Sequence, residues 1–188
     1  MKRLIPLTLA APVVFALPLI MGHDYDSPSC EDYIVTEDRR VPFIAANDIE
    51  FIDGMVPHHE GALMMAQMVL MHGSRAEVKA LAKTMSEVQA AEIQRLKSIR
   101  VELTGSDDVP GFEDPHMALE MREMEGALGE ELDRLFLEHM IPHHAGAIHM
   151  AHSALANLKR PDLASMAREM IEDQSEEIGT LRTMLGDF

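Results

Sequence analysis

The chain contains one unit twice, and this repeat limits the folds that it can adopt. A shift of 85 residues aligns residues 51–99 with residues 136–184 without a gap. The most specific matches pair Phe51 with Phe136, Met55 with Met140, Pro57, His58 and His59 with Pro142, His143 and His144, Met65 with Met150, Met85 with Met170, Gln89 with Gln174, and Glu92 with Glu177. Such a repeat predicts two equivalent halves that bury their apolar faces against each other.

Each unit is predicted to form two helices. In the first unit, Asn47 followed by Glu50 is typical of a helix start, and Gly73 is typical of a helix end. Ser74 followed by Glu77 predicts that the second helix starts at once, and its pattern continues to about residue 103. The first unit is therefore expected to be a helical hairpin.

The second unit shows the same pattern, with Pro161 suited to the first turn of its last helix and Gly186 to the end of that helix. The chain has 16 Met but only six Phe, two Tyr and no Trp, and this composition favours helix packing over sheets. We therefore predict an all-α fold. It is a four-helix bundle over residues 47–188, made of repeated hairpins at about 47–104 and 132–188.

Residues 105–131 connect the two repeats. Their first part is rich in Gly, Asp and Pro and predicts a long crossover loop. A short helix should follow, with a break at Gly126 and Gly129 before the second repeat. This helix carries His116, Met117, Met121 and Met124. Their imidazole and soft thioether groups either bind Cu(I), as a site additional to the one described below, or pack against the bundle. The sequence leaves both interpretations open.

The N-terminal residues predict export. Lys2 and Arg3 precede an uncharged apolar run over residues 4–21, so residues 1–22 have the layout of a secretory signal. An uncleaved N-terminal anchor, which would tether the protein to a membrane through residues 4–21, is the alternative. Residues 23–46 should be a flexible leader. We expect the protein in the periplasm or cell envelope, and the sequence assigns no role to Cys30, its one cysteine.

The charge of the chain excludes one class of partner. The 32 acidic residues outnumber the 16 Lys and Arg, which gives a formal net charge of −16. Such a surface repels phosphate backbones, so we expect no nucleic-acid binding. It also raises the local concentration of cations, although acidity alone does not predict a metal site.

Met and His share the inward stripe on the first helix of each unit. Four inward imidazoles are more polar than a core built only for stability would accept. Thioether sulfur is a soft ligand and imidazole a borderline one, a combination that suits Cu(I) and, with more His, Cu(II). The predicted metal ligands are Met55, His58, His59, Met65, Met140, His143, His144 and Met150.

The second helix of each unit carries a Gln and a Glu on its otherwise apolar face, namely Gln89, Glu92, Gln174 and Glu177. A buried amide or carboxylate is costly unless it is hydrogen bonded, so the facing histidines are its expected partners. In a metal site these side chains would orient the imidazoles. The alternative is a metal-free core in which Met fills gaps and the histidines are satisfied by Gln and Glu.

Residues 58–66 and 143–151 follow the pattern Met-x-Pro-His-His-x-x-Ala-x-x-Met-Ala when Met55 and Met140 are included. In this doubled motif, and over nearly all of residues 47–188, the chain resembles the bacterial domain of unknown function 305 (DUF305) family. The resemblance implies a ferritin-like four-helix fold and, as in some members, periplasmic copper binding linked to copper tolerance. It carries over to the same eight Met and His positions.

We therefore expect an exported, non-enzymatic protein that binds copper for sequestration or delivery, with metal ions and a copper donor or acceptor protein as partners. A di-metal ferritin-like oxidase is one alternative. It needs paired Glu-x-x-His motifs, and the chain has this spacing once, from Glu113 to His116. A metal-free helical interaction module of the envelope is the other alternative. Whether the histidines form one pooled site or two separate sites is left open.

Overall fold

The structure is a computed structural model that describes residues 44–111 and 115–188, with the side chains of Pro115 and His116 left out. The predicted signal or anchor, almost all of the predicted leader, and Cys30 lie outside the described residues. Five helices account for the regular structure of the described residues: α1 (Asp48–His72), α2 (Ala76–Thr104), α3 (Pro115–Met124), α4 (Gly129–Ala154) and α5 (Pro161–Leu185).

The four long helices form two hairpins. Helix α1 packs along α2, helix α4 packs along α5, and the two hairpins meet along α1 and α4. The short helix α3 lies against α4 and α1. This arrangement confirms the predicted all-α bundle of two repeated hairpins. It also brings the two helices with the His-His motif into direct contact.

Helix α1 begins as predicted. The Asn47 side chain accepts a hydrogen bond from the amide of Glu50 at 3.0 Å, and the Glu50 carboxylate accepts one from the amide of Ala46 at 2.9 Å. Gly73 follows the last residue of the helix and donates its amide to the carbonyl of Val69. At the start of the helix, local side chains thus satisfy two backbone donors, the amides of Ala46 and Glu50.

The predicted start of α2 is wrong. Arg75, not Ser74, is the residue that precedes the helix, and its side chain makes no capping hydrogen bond. The amides of Ser74 and Arg75 and the Ser74 hydroxyl all donate to one carboxylate oxygen of Asp133, at 2.9, 2.7 and 2.8 Å. A buried carboxylate from the other hairpin is a stronger acceptor than the local hydroxyl, which becomes a donor itself.

The second hairpin is capped in the same way by the first. Asp48 accepts hydrogen bonds from the amides of Lys159 and Arg160, at 2.8 and 3.4 Å, immediately before α5. Asp48 is equivalent to Asp133 in the repeat, and Lys159 and Arg160 are equivalent to Ser74 and Arg75, each 85 positions away. Each hairpin therefore provides the carboxylate that stabilises the start of the other hairpin's second helix.

The connection between the repeats contains the predicted helix and break. Gly126 and Gly129 both have positive φ, 87° and 61°, which glycine adopts without steric cost. Helix α4 begins at Gly129, three residues before the expected start of the repeat. Pro161 occupies the first turn of α5, as predicted. Among residues 44–111 and 115–188, no helix is long and apolar enough to span a bilayer.

The buried apolar residues form two clusters, one on each side of the His-His motifs. One cluster contains Met55, Val56 and Ala147, and the other contains Ala62, Met65 and Met140. The histidines follow Val56 and precede Ala62 on α1, and they follow Met140 and precede Ala147 on α4. The polar motifs therefore lie at the middle of the bundle, between two apolar layers.

Candidate metal centre

The two His-His motifs meet where α1 packs on α4. The rings of His58 and His143 lie with their centroids 3.9 Å apart and their planes at 40°. These positions are equivalent in the repeat, so the contact lies close to the pseudo-twofold axis that relates the hairpins. The structure thus brings together one histidine from each repeat, a proximity that the sequence left undecided.

The second histidine of each motif lies beside the central pair and is fully buried. The centroid of the His59 ring is 6.3 Å from that of His58, and the His143 and His144 rings are also 6.3 Å apart. Both His59 and His144 have no exposed surface. Three of the four imidazoles are therefore buried, and the half-buried His58 ring lies next to those of His59 and His143.

A carboxylate on the neighbouring helix fixes each outer imidazole. The Nε2 atom of His59 lies 2.9 Å from the Glu92 carboxylate on α2, and that of His144 lies 2.6 Å from the Glu177 carboxylate on α5. A carboxylate can only accept a hydrogen bond, so Nε2 carries the hydrogen and donates it in the neutral ring. The Nδ1 atoms of both rings then keep their lone pairs.

Backbone fixes one of the two central rings. The Nε2 atom of His143 lies 3.1 Å from the carbonyl oxygen of His58 and donates to it. The Nδ1 atoms of His58, His59, His143 and His144 are all buried, and none has a hydrogen-bond partner among the described residues. In three of the four rings the donor nitrogen is therefore occupied and the acceptor nitrogen is free.

The central pair is neutral at ordinary pH. Burial, followed by the charges of His59 and His144, lowers the pKa of His58 to about 3. Burial also holds the pKa of His143 well below its usual value, with the nearby His58 as the next cause. A neutral imidazole is the form that binds a metal ion, so no proton has to be removed from this pair at pH 7.

Small residues allow the helices to approach at the motif. A Cβ atom added at Gly146 would lie 3.3 Å from Nε2 of His58. At the equivalent position in the first repeat, a Cβ on Gly61 would collide with the thioether of Met117. The two repeats therefore differ, since the glycine of one motif contacts the central histidine pair and the other is covered by α3.

The four predicted Met ligands are buried, but they are not grouped by repeat. Met55 lies in the same cluster as Met150, and Met65 lies in the same cluster as Met140. Because the motif helices run in opposite directions, the start of one motif lies beside the end of the other. Thioethers from both hairpins therefore lie on either side of the histidines, a grouping that the sequence left open.

Only two of the four side chains on α2 and α5 that were expected to bind the histidines do so. Glu92 and Glu177 bind the outer histidines, whereas neither side-chain end of Gln89 has a partner in the described structure. Gln174 also keeps an unpartnered oxygen. Met85 and Met170 lie one turn before these amides and are buried, at 2% and 1% exposure. The equivalence of Met85 and Met170 in the repeat could have identified them as candidate metal ligands.

The residues outside the central motifs are distributed over the surface and α3. Met124 is fully buried, and Met117 and Met121 are partly buried against the same core cluster. The side chain of His116 lies outside the described residues. His149 and His152 are exposed, as are Met64 and Met71 at 50% and 56%. In the described part of the chain, no three His, Cys, Asp or Glu side chains are placed to hold a metal ion by themselves.

Comparison with known proteins identifies one family. The sequence profile of a domain of unknown function, DUF305, matches residues 40–100 and 104–185. No curated protein matches the chain. The fold is similar to that of a DUF305 fragment from Deinococcus radiodurans, with a TM-score of 0.68 and 25% identity over 78% of this chain and 100% of that one.

The fold is also similar to that of CopM, which has been solved with copper bound. The Cu(II)-bound form gives a TM-score of 0.67 and 29% identity over 75% of this chain and 97% of CopM. The Cu(I)-bound form gives a TM-score of 0.66 and 30% identity over 74% of this chain and 96% of CopM. Both repeats are included in a similarity of this extent.

Proposed function

Because the chain belongs to the DUF305 family, and because the similar protein CopM is known with Cu(I) and Cu(II) bound, we propose that this protein binds copper at the centre of its bundle. It is an exported protein of the periplasm or cell envelope. It sequesters copper or delivers it to a partner, and it contributes to copper tolerance. The apolar segment at residues 4–21 directs the export.

The observation that carries this proposal is the state of the imidazoles. His59, His143 and His144 each use Nε2 for a hydrogen bond to a carboxylate or a carbonyl oxygen. Their Nδ1 atoms are buried without a partner among the described residues. Metal-binding histidines commonly have this arrangement, in which an acceptor fixes one nitrogen and the other nitrogen faces the ion.

The neighbouring side chains favour copper over harder ions. The histidines are flanked on both sides by buried thioethers, which are the additional ligands that we propose. The thioethers of Met55 and Met150 lie on one side of the histidines, and those of Met65 and Met140 lie on the other. Thioether and imidazole together suit Cu(I), and imidazole alone also suits Cu(II).

The histidines act as one central group. The rings of His58 and His143 lie 3.9 Å apart at the contact of the two hairpins, and this proximity supports one pooled site over two separate ones. The pooled arrangement also links both hairpins, so copper binding stabilises the contact between α1 and α4.

An equilibrium titration tests this function. The purified exported domain is titrated with Cu(I) in the presence of a competing chelator, alongside a variant in which His58, His59, His143 and His144 are changed to Gln. We expect tight, stoichiometric binding by the wild type and its loss in the variant. Binding no tighter than that of an unrelated acidic protein would overturn the proposal, and unchanged binding by the variant would move the site elsewhere.

A further inference from the structure

A second feature of the interior lies next to the histidines, between α1, α2 and α4. Met85, Gln89 and Met140 line a narrow cavity, together with Ala62, Leu63, Ala66 and Ser86. The cavity has no room for a water molecule. Gln89 is 3% exposed, and its amide nitrogen and oxygen both lack a partner within the described ranges.

This amide is an anomaly for a core built only for stability. A buried amide without hydrogen bonds is costly, and a water molecule cannot enter the cavity to satisfy it. The adjacent Ser86 hydroxyl donates to the carbonyl of Ala82 at 2.7 Å, so its proton is already committed. An apolar side chain of the same size would therefore make the metal-free protein more stable than Gln89 does.

The residues around the amide suggest why it is tolerated. Met85 is 2% exposed and Met140 is 1% exposed, and their thioethers are neutral, soft ligands. A cation between two thioethers in a dry cavity would lack compensation for its charge. The carbonyl oxygen of Gln89 can supply this compensation through its dipole. Neither end of the amide is hydrogen bonded, so it can turn toward a cation without breaking an existing bond.

We propose that Met85 and Met140 form a thioether subsite for a monovalent soft cation, and that Gln89 is the positioning residue that stabilises the charge of this cation. The subsite joins α2 of the first repeat to α4 of the second. It rests on the proposed function, because it places soft metal next to His59 and the other histidines. The same residue types recur at Met55, Met170 and Gln174, of which Met55 and Met170 share the other apolar cluster.

The test uses Ag(I), a monovalent soft ion that does not change oxidation state under the conditions of the titration. The full exported chain is compared with Gln89→Leu, and both metal affinity and resistance to urea are measured. We expect Gln89→Leu to raise the urea midpoint of the metal-free protein and to weaken Ag(I) binding by about tenfold. A purely structural amide would not produce these opposite changes.

Two further variants keep the test decisive. Met85→Leu conserves volume and should weaken Ag(I) binding with little change in metal-free stability, so it serves even if Gln89→Leu fails to fold. Gln94→Leu is the matched control, since Gln94 is exposed on the same helix and should change neither property. If Gln89→Leu lowers stability, or if it and Met85→Leu bind Ag(I) like the wild type, the subsite is wrong. If the wild type takes up no Ag(I), the proposed metal function fails as well.

Discussion

His58 and His143 are 85 residues apart in the chain, yet their imidazole rings lie with centroids 3.9 Å apart at the contact of α1 with α4. The pairing follows from the internal repeat, because equivalent residues near a pseudo-twofold axis contact each other. It groups four imidazoles at this contact, and acceptors fix the Nε2 nitrogens of the three that are buried.

Acid should weaken the metal-free protein before its carboxylates titrate. The pKa of His58 in the folded protein is about 3, below the value of 6.5 for an exposed imidazole. The neutral ring therefore contributes its full stability above about pH 6.5, and this contribution is lost as the pH falls from there toward 3. His143 shifts in the same direction. Between about pH 7 and pH 5.5, the urea midpoint should fall steadily.

The control for this pH dependence is a variant that removes one ring from the group of titratable side chains around His58. His59, His143 and His144 surround it, and the carboxylates of Glu92 and Glu177 hold the two outer rings. In His58→Gln one of these titrating groups is removed, so the midpoint should change less over the same pH range. A wild-type midpoint that stays constant over that range would show that the central rings do not resist protonation.

The carboxylates behind the outer histidines should control copper affinity. In Glu92→Leu the Nε2–H of His59 loses its acceptor, so the ring orientation and proton position are no longer fixed, and Cu(I) binding should weaken by about 10–100-fold. Glu92→Gln keeps an acceptor oxygen and should restore most of the affinity. Glu87→Leu, at a side chain 66% exposed on the same helix, is the control. Equal affinities for all three variants would exclude this role of Glu92.

Two glycines in helices should respond differently to the same substitution. At Gly179, where an added Cβ meets nothing within 4 Å, alanine should stabilise the protein by about 0.5–1 kcal/mol. At Gly146 the added Cβ would lie 3.3 Å from Nε2 of His58, so the ring has to shift. Gly146→Ala should therefore gain less stability and weaken Cu(I) binding. Identical behaviour of the two variants in urea denaturation and titration would contradict this geometry.

The two reciprocal caps should differ in strength. Asp133 is fully buried and accepts three hydrogen bonds at 2.7–2.9 Å, whereas Asp48 accepts one at 2.8 Å and one at 3.4 Å. Asp133→Ala should cost about 2 kcal/mol of unfolding free energy, and Asp48→Ala about 1 kcal/mol. Urea denaturation of both variants measures this difference. A larger loss for Asp48→Ala would contradict the hydrogen-bond pattern.

The repeat was sufficient to predict the helices, their pairing and the inward position of the histidines. It was not sufficient for the start of α2, because Ser74 and Glu77 form a local capping pattern that loses to Asp133 from the other hairpin. A signal was available, since Asp48 and Asp133 continue the 85-residue equivalence upstream of Phe51 and Phe136. Local motifs do not include competitors that are distant in sequence.

The candidate site was predictable in its residue types but not in its grouping. The sequence left open whether the two repeats share one site, and the opposite directions of α1 and α4 place Met55 with Met150 and Met65 with Met140. The expectation that Gln89 would bind a histidine also failed, because Glu92 is the side chain of that face that reaches His59. Side-chain competition of this kind depends on distances that a helical stripe does not specify.

The most direct measurement is the position of copper in a crystal of the Cu(I)-loaded protein, located by anomalous scattering at the copper edge. The account predicts a strong peak inside the bundle, between the apolar clusters and within bonding distance of His58 or His143 and at least one buried thioether. Peaks confined to the exposed His149 and His152, or to surface carboxylates, with none in the interior, would contradict it.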